Sequence, residues 1–511
     1  MKVFSNYYIG SFFWSTLAKI ISAAVGFISI PLLLGVYGKA NYGVLALATS
    51  CNGYMHLLDL GMNTGAVKFF SQWKTEGKKG LINSVAHTNI SFYVIIASIN
   101  ALLLLFLAFF GEGLFSLTHE QFVLLQNCLI IIALLSVLSW TGTAFTQLLI
   151  ADNKIAYTHQ VNCVIHVLKL LLVLSVLYLK ISLIIYFFVL TFLTAFVTFP
   201  YARKCKIDGL IDSFSLGNNW KDFKIVIFYS LSIFALSVFQ MTASQSRPII
   251  LGIFCENGAE VVSDFRIIEV IPAFMISIGL SFSGIFLPKA SGIWARHNIK
   301  EIRNFAYHWT FRTSVLSCCL CFPLILCAYE ILLIYVGEEY THLTKWLIIW
   351  ILTALIQIHT TPGNSLILSS GETKPLVITS AVSCFISIII NIFLCKYLNY
   401  ESGSAVIGYL IYVFLVISMN YLFFYKKILG LGQKEMILSF INPVLLGGIS
   451  FIVISVLLPN NVFSNLIESY PFLRYFICFF KSIIWGVLFF FLLLKTKLIA
   501  LKEIKSLFSF K

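Results

Sequence analysis

From Ile9 to Leu34 the chain runs through an unbroken apolar stretch that carries one charged side chain, Lys19. About 20 mostly apolar residues are what an α-helix needs to cross the hydrocarbon core of a bilayer. Lipid offers no water to satisfy free backbone groups, so such a stretch must close its hydrogen bonds internally. Runs of this kind recur along the whole chain. The candidate spans are approximately 9–35, 41–64, 84–110, 121–150, 156–179, 181–201, 223–251, 262–288, 304–336, 343–369, 375–397, 402–425, 434–458 and 471–494. With 59% hydrophobic and 11% charged residues, the chain departs far from the roughly 45–50% apolar and 25% charged of a soluble domain. The expected fold class is therefore an all-α integral membrane protein of about fourteen helices. The first run is too long for the apolar part of a cleaved signal and contains Lys19, so it reads as an uncleaved signal anchor.

The connections test that count. Lysine and arginine collect in short cytoplasmic loops. With the N-terminus inside, twenty-four of them fall in inner segments and five (Lys39, Lys180, Lys345, Lys396 and Arg474) in outer ones. A missed or invented span would scramble this alternation. Both termini are thus expected on the cytoplasmic side. The longest polar connection, 202–222, divides six spans from the next six. The expected organisation is an N-terminal six-helix bundle (1–204), a cytoplasmic linker (205–222), a C-terminal six-helix bundle (223–428), and a last helix pair with a basic tail (429–511).

The net charge of +14 belongs to this loop pattern, and no basic-aromatic nucleic-acid motif accompanies it. The 12 cysteines are scattered through apolar segments, and Cys318, Cys319 and Cys321 lack a second ligand pair at zinc spacing. They read as small buried hydrophobes rather than disulfide or metal ligands. No phosphate-binding loop, HExxH or GxSxG pattern occurs. Loops of about 20 residues are too short for an independent core, which leaves no place for a soluble catalytic domain. A membrane polymerase or glycosyltransferase is the alternative enzyme reading, and a drug/cation antiporter the alternative transporter.

Charges inside spans cost a few kcal/mol each, so those present point to a cavity or a partner. Lys19 and Lys169 lie deep in the first and fifth spans. His166 is one turn before Lys169 on the same face. Arg247 precedes Pro248, which can free a backbone carbonyl. Arg266 stands between Asp264 and Glu269 and can pair with either; His308 and Arg312 are four apart; His359 is central in the tenth span. Near span ends the same cations can snorkel to headgroups, and a single histidine can be a packing residue. Together the buried cations outnumber the acids, which suits an anionic phosphate or pyrophosphate. In the second span Gly61 and Gly65 form a small-xxx-small pair that allows close helix approach. Asp59 reads there as an inner gate or a structural cap. Lys68, Lys74, Lys78 and Lys79 read as a topological anchor facing anionic lipid.

The stretches IPLLLGVYGKANYGVLAL (30–47), LLDLGMNTGAVKFFSQ (57–72) and SRPIILGIF (246–254) resemble the polysaccharide transporter branch of the multidrug/oligosaccharidyl-lipid/polysaccharide exporter superfamily. Within it they are most similar to Wzx-type O-antigen flippases. The resemblance implies two six-helix bundles around a central cavity that opens alternately to each side. It implies a substrate, undecaprenyl-pyrophosphate-linked oligosaccharide, carried from the inner to the outer leaflet for lipopolysaccharide or related polysaccharide biosynthesis. The implied partners are the bilayer and a polymerase and chain-length regulator of the same pathway, with no nucleic acid. No cofactor or metal is expected, and no catalytic residue. An H+ or Na+ gradient, or removal of product by polymerisation outside, would supply the energy. The cavity cations would be Lys19, Lys169, Arg247, Arg266 and Arg312, with Asp59, His166, His308 and His359 as gate or supporting residues.

Overall fold

A computed structural model describes residues 2–296, 298–372, 374–459, 473–496 and 498. The outer connection 460–472, and Lys497, Lys502, Lys505 and Lys511 of the expected basic tail, lie outside the described residues. Among those described, the regular elements are helices and no strand occurs. Eleven of the helices are long and apolar enough to cross a membrane.

In chain order the first helices are α1 (Lys2–Tyr37), α2 (Lys39–Met55), α3 (Met62–Thr75), α4 (Lys79–Phe110) and α5 (His119–Ala151). There follow α6 (Ile155–Leu179), α7 (Leu183–Phe196), α8 (Thr198–Ile207), α9 (Trp220–Phe254) and α10 (Gly258–Ala295). The rest are α11 (Ile299–Leu326), α12 (Ala328–Tyr335), α13 (Thr344–Ile358), α14 (Thr361–Ser370), α15 (Lys374–Leu398), α16 (Ser402–Met419), a short α17 (Tyr425–Lys427), α18 (Gln433–Leu457) and α19 (Leu473–Lys495). Two compact units emerge: residues 1–267 with 391–405, and residues 268–390 with 406–511.

The first unit contains α1 to α9. Its core joins α3, α4, α5, α8 and α9 around Phe70, Tyr93, Trp140, Phe145 and Phe223. Small residues set the helix spacing. A Cβ on Gly65 would stand 1.9 Å from the Ser230 hydroxyl, and one on Gly61 would stand 2.6 Å from the Ser230 carbonyl. The small-xxx-small pair at the start of α3, with Gly61 just before the helix and Gly65 within it, thus lets α9 approach to backbone distance.

The second span is not one continuous helix. A 3₁₀ turn over His56–Asp59 follows α2, and Leu60 and Gly61 take positive φ values of 51° and 76°. Glycine adopts that conformation without penalty, so Gly61 lets the chain turn and restart as α3. The expected second span, 41–64, is therefore broken, and Asp59 and Lys68 belong to different elements.

The 208–219 connection is fastened to α4. The Gly217 amide donates to the Ser91 hydroxyl and the Asn219 amide to Thr88, each at 2.9 Å. The Asn83 amide donates to Asp212 at 2.6 Å.

Below these helices Lys154 bridges Asp152 and Asp208, Lys204 reaches Asp208 at 3.0 Å, and Lys74 reaches Asp152 at 2.5 Å. Lys74 and Lys78, expected to face lipid, are paired within the protein, Lys78 with Glu76 at 2.7 Å. Lys68 lies over the Tyr229 ring, 3.6 Å from its centroid. Burial disfavours the Asp208 charge, but hydrogen bonds from Lys154 and Lys204 outweigh it and hold its pKa below the ordinary carboxylate value. Burial likewise disfavours the Lys154 charge, and its bonds to Asp152 and Asp208 reverse that and raise its pKa.

The sign of the linkage follows. Asp208 stabilises the fold above the ordinary carboxylate pKa, about 4, and loses that contribution as pH falls through its depressed value. Lys154 stabilises it below the ordinary lysine pKa, about 10.4, and loses that as pH rises through its raised value. Replacing Asp208→Asn should cost about 0.5–1 kcal/mol at pH 7, the upper range for exposed ion pairs. Thermal unfolding in detergent should show that deficit shrinking toward pH 3; a pH-independent deficit would rule out the ionic origin.

The second unit packs Phe286, Phe305, Tyr421 and Tyr425 into its core. The tenth expected span is also interrupted, between α13 and α14, and a Cβ on Gly363 would meet the Tyr425 hydroxyl at 2.4 Å. On the last helix Trp485 donates its indole N–H to the Gly447 carbonyl at 3.1 Å, locking α19 to α18.

Candidate functional site

Within the first unit a cavity of about 240 Å³ opens among α2, α4, α5, α6 and α7. Its polar lining includes Asn52, His56, Asn100, Ser136 and Lys169, and Trp140 and Phe187 give it aromatic walls. None of the residues lining it is acidic. Lys169 is the fifteenth of the 25 residues of α6, so its ammonium is held at membrane depth. Among the described residues no carboxylate pairs with it. An unneutralised cation beside hydroxyls, amides and a tryptophan face suits an anionic, hydroxylated headgroup: charge for phosphate, donors and acceptors for sugar hydroxyls, an aromatic face for a sugar ring.

A hydrogen-bonded network adjoins the cavity through His56 and Trp140. The His56 and Tyr93 rings both pack on Trp140, with centroids 5.2 and 6.2 Å away. Tyr93 donates its hydroxyl to Asp59 at 2.5 Å, and Gln147 donates to Tyr93 at 2.6 Å and to Asn63 at 3.2 Å. Asn89 completes the chain by donating to Gln147 at 2.8 Å. The second Asp59 oxygen accepts from the Asn63 amide at 3.3 Å. Asp59 thus terminates the 3₁₀ turn, caps the restarted helix, and ties that break to α4 and α5 through Tyr93 and Gln147.

The other anticipated residues lie elsewhere. Lys19 is exposed on α1, with His159 of α6 as an electrostatic neighbour, and His166 stands beside Lys169 without lining the cavity. Arg247 is 7% exposed. Its Nε donates to the Ser244 carbonyl at 2.9 Å, and its guanidinium lies 5.4 Å from the Phe265 centroid. Ser244 is four residues before Pro248, which has no N–H to give it, so the arginine takes the carbonyl that the proline leaves open. Arg266 donates to the Ser50 hydroxyl at 2.7 Å. Asp264, two residues earlier, binds Lys39 at 2.9 Å. Both bonds tie α2 to the first turns of α10.

In the second unit Arg312 and Lys289 lie against Trp309, at 5.3 and 5.2 Å from its centroid. His308 precedes that tryptophan on α11. His359 is fully buried, bonded to the Tyr421 hydroxyl at 2.9 Å and stacked on Phe440 at 3.6 Å.

Sequence reasoning missed His56, Tyr93 and Gln147, because a lone aromatic or amide in an apolar run carries no signal until its partners are known. It also missed Lys481 and Glu330, which are 3% and 7% exposed in the second unit and are both electrostatic neighbours of Cys327. Lys481 was legible as a further charge inside the last span.

The described helices form a multi-span membrane fold with a cation-bearing cavity, and solved membrane transporters share that fold. The solved structure of the lipid II flippase MurJ in an inward closed conformation is similar over 94% of this chain and 100% of that one, with TM-score 0.70 at 16% identity. An inward-facing multidrug resistance MATE transporter is similar over 86% and 98%, with TM-score 0.64 at 12% identity. A transporter of the superfamily from Pyrococcus furiosus, described as having a binding pocket of reverse polarity, is similar over 80% and 95%, with TM-score 0.53 at 12% identity. No curated protein matches by sequence. The polysaccharide biosynthesis protein family matches residues 9–286, and the chain belongs to that family.

Proposed function

We propose that this protein is a flippase for a polyprenyl-pyrophosphate-linked oligosaccharide, such as an undecaprenyl-linked O-antigen or related surface-polysaccharide unit, in a bacterial inner membrane. The observation that carries the reading is the first-unit cavity, with Lys169 among hydroxyls, amides and Trp140 and no acid in its lining. Family membership supports polysaccharide biosynthesis, and the likeness to MurJ supports the fold of a lipid flippase. The headgroup is the part that cannot cross hydrocarbon unaided. The cavity supplies it with a counter-charge and hydrogen bonds while the prenyl tail stays in lipid. No bond in the substrate is made or broken.

The MATE likenesses favour one other reading, export of organic cations. A cationic drug would be repelled by Lys169 and would need a carboxylate that the lining lacks. Purified protein in liposomes decides between them. A fluorescent polyprenyl-pyrophosphate sugar should become accessible in the opposite leaflet far faster than in protein-free vesicles, and ethidium should not be exchanged. Ethidium export without movement of the pyrophosphate lipid would reverse the assignment.

A further inference from the structure

Ten cysteines are free, but Cys255 and Cys395, 140 residues apart, are joined by a disulfide with Cα atoms 5.4 Å apart, against the expectation from their apolar surroundings that no cysteine would be bridged. Both lie in the first unit. Cys255 follows the last residue of α9, and Cys395 sits in the last turn of α15. Sequence adjacency could not reveal the pair, since only the folded chain brings these two helix ends together.

Disulfides persist in oxidising compartments and are rare in the cytosol. The loop-charge bias independently assigns these two helix ends to the outer side of the membrane. Neighbouring bonds knit a third outer turn to the same place. The Ser116 amide donates to the Gly252 carbonyl at 2.8 Å, the Gly258 amide to Ser116 at 3.1 Å, and the Ser116 hydroxyl to Ile253 at 2.9 Å. The segment 391–405 belongs to the first unit, whereas the remainder of α15 and α16 belongs to the second.

We propose that Cys255 and Cys395 are an oxidative modification site on the outer face, and that their bond is the fastening which keeps the α15–α16 tip in the first unit. The oxidant is a protein disulfide donor of the outer compartment. The thiolate of one cysteine attacks the donor disulfide and forms a mixed disulfide. The second thiolate then displaces the donor, so the pair loses two protons and two electrons and the donor leaves as a dithiol. Each cysteine is 2% exposed, so a protein donor acts before the hairpin seals. Afterwards the bond is shielded from soluble reductants.

Denaturing the protein from intact cells and tagging it with a polyethylene-glycol maleimide counts the thiols. Ten adducts are expected without reductant and twelve after it; twelve in both cases would overturn the oxidative site. Cys255→Ser should give eleven in both. The fastening is read by hydrogen exchange on the purified protein. The Cys255→Ser, Cys395→Ser double variant should exchange backbone amides of 394–404 at least tenfold faster than the parent protein. Unchanged exchange would overturn the fastening while leaving the thiol count to judge the bond. Neither measurement depends on the transported substrate.

Discussion

Gly43→Leu abolishes the folded protein: little or no monodisperse peak survives detergent extraction, while Gly26→Ala extracts like the parent. A Cβ on Gly43 would stand 1.7 Å from the Ala259 carbonyl oxygen and 2.5 Å from its carbon. Those atoms are backbone at the start of α10, so no rotamer change relieves the overlap and the two helices must separate. Separation would also pull on the Lys39–Asp264 and Arg266–Ser50 bonds, which join the same two elements. Overpacking usually costs about 1–3 kcal/mol, and a clash with fixed backbone belongs at or beyond the upper end. Gly26 has nothing within 4 Å of its would-be Cβ, and alanine there should gain up to about 1 kcal/mol of helix propensity. Equal extraction of both variants would mean that α2 and α10 do not meet as described. Gly65→Ala offers a milder version. Its clash is with the Ser230 side chain, so Ser230→Gly should partly restore it.

Lys169→Met separates function from stability. A lysine held at membrane depth with no carboxylate partner among the described residues is a cost to the fold, so its removal should leave thermal unfolding unchanged or raise it. Transport of a pyrophosphate lipid should fall, because a charge-assisted hydrogen bond to the headgroup is worth about 1.5–3 kcal/mol, which corresponds to roughly 10- to 150-fold. Lys169→Arg keeps the charge and should retain most of the rate. Undiminished transport by Lys169→Met would remove the cavity from the mechanism, whatever the substrate. A variant that merely failed to fold would reveal itself by a lowered unfolding temperature, opposite to the expected sign.

The residues anticipated as one cationic set are divided by the fold into different jobs. Lys169 alone among them lines the first-unit cavity. Arg247 satisfies the carbonyl left by Pro248, and Arg266 helps the Lys39–Asp264 pair hold α2 to α10. Spacing along the chain offered Asp264 and Glu269 as partners for Arg266. Residues two apart on a helix point about 200° apart, and the fold adds contacts on α2 that spacing does not show, Ser50 for Arg266 and Lys39 for Asp264. His359 likewise became a core residue through Tyr421 and Phe440, partners 62 and 81 positions away.

The amino-acid sequence by itself determined the all-helical membrane architecture, since only helices let apolar runs of that length satisfy their own backbone in lipid. It also determined the family resemblance and the depth of each charge along its span, because hydropathy and rise per residue are local properties. Tertiary structure alone decided where helices break within uniformly apolar runs, as at Leu60–Gly61. It decided which buried charge faces a cavity and which faces a backbone carbonyl, and which two of twelve cysteines meet. The aspartate of HLLDLGMNTGAVKFF is legible as a charge near the inner end of its span. Its work as the cap of a broken helix, held by Tyr93, exists only once α4 has packed beside it.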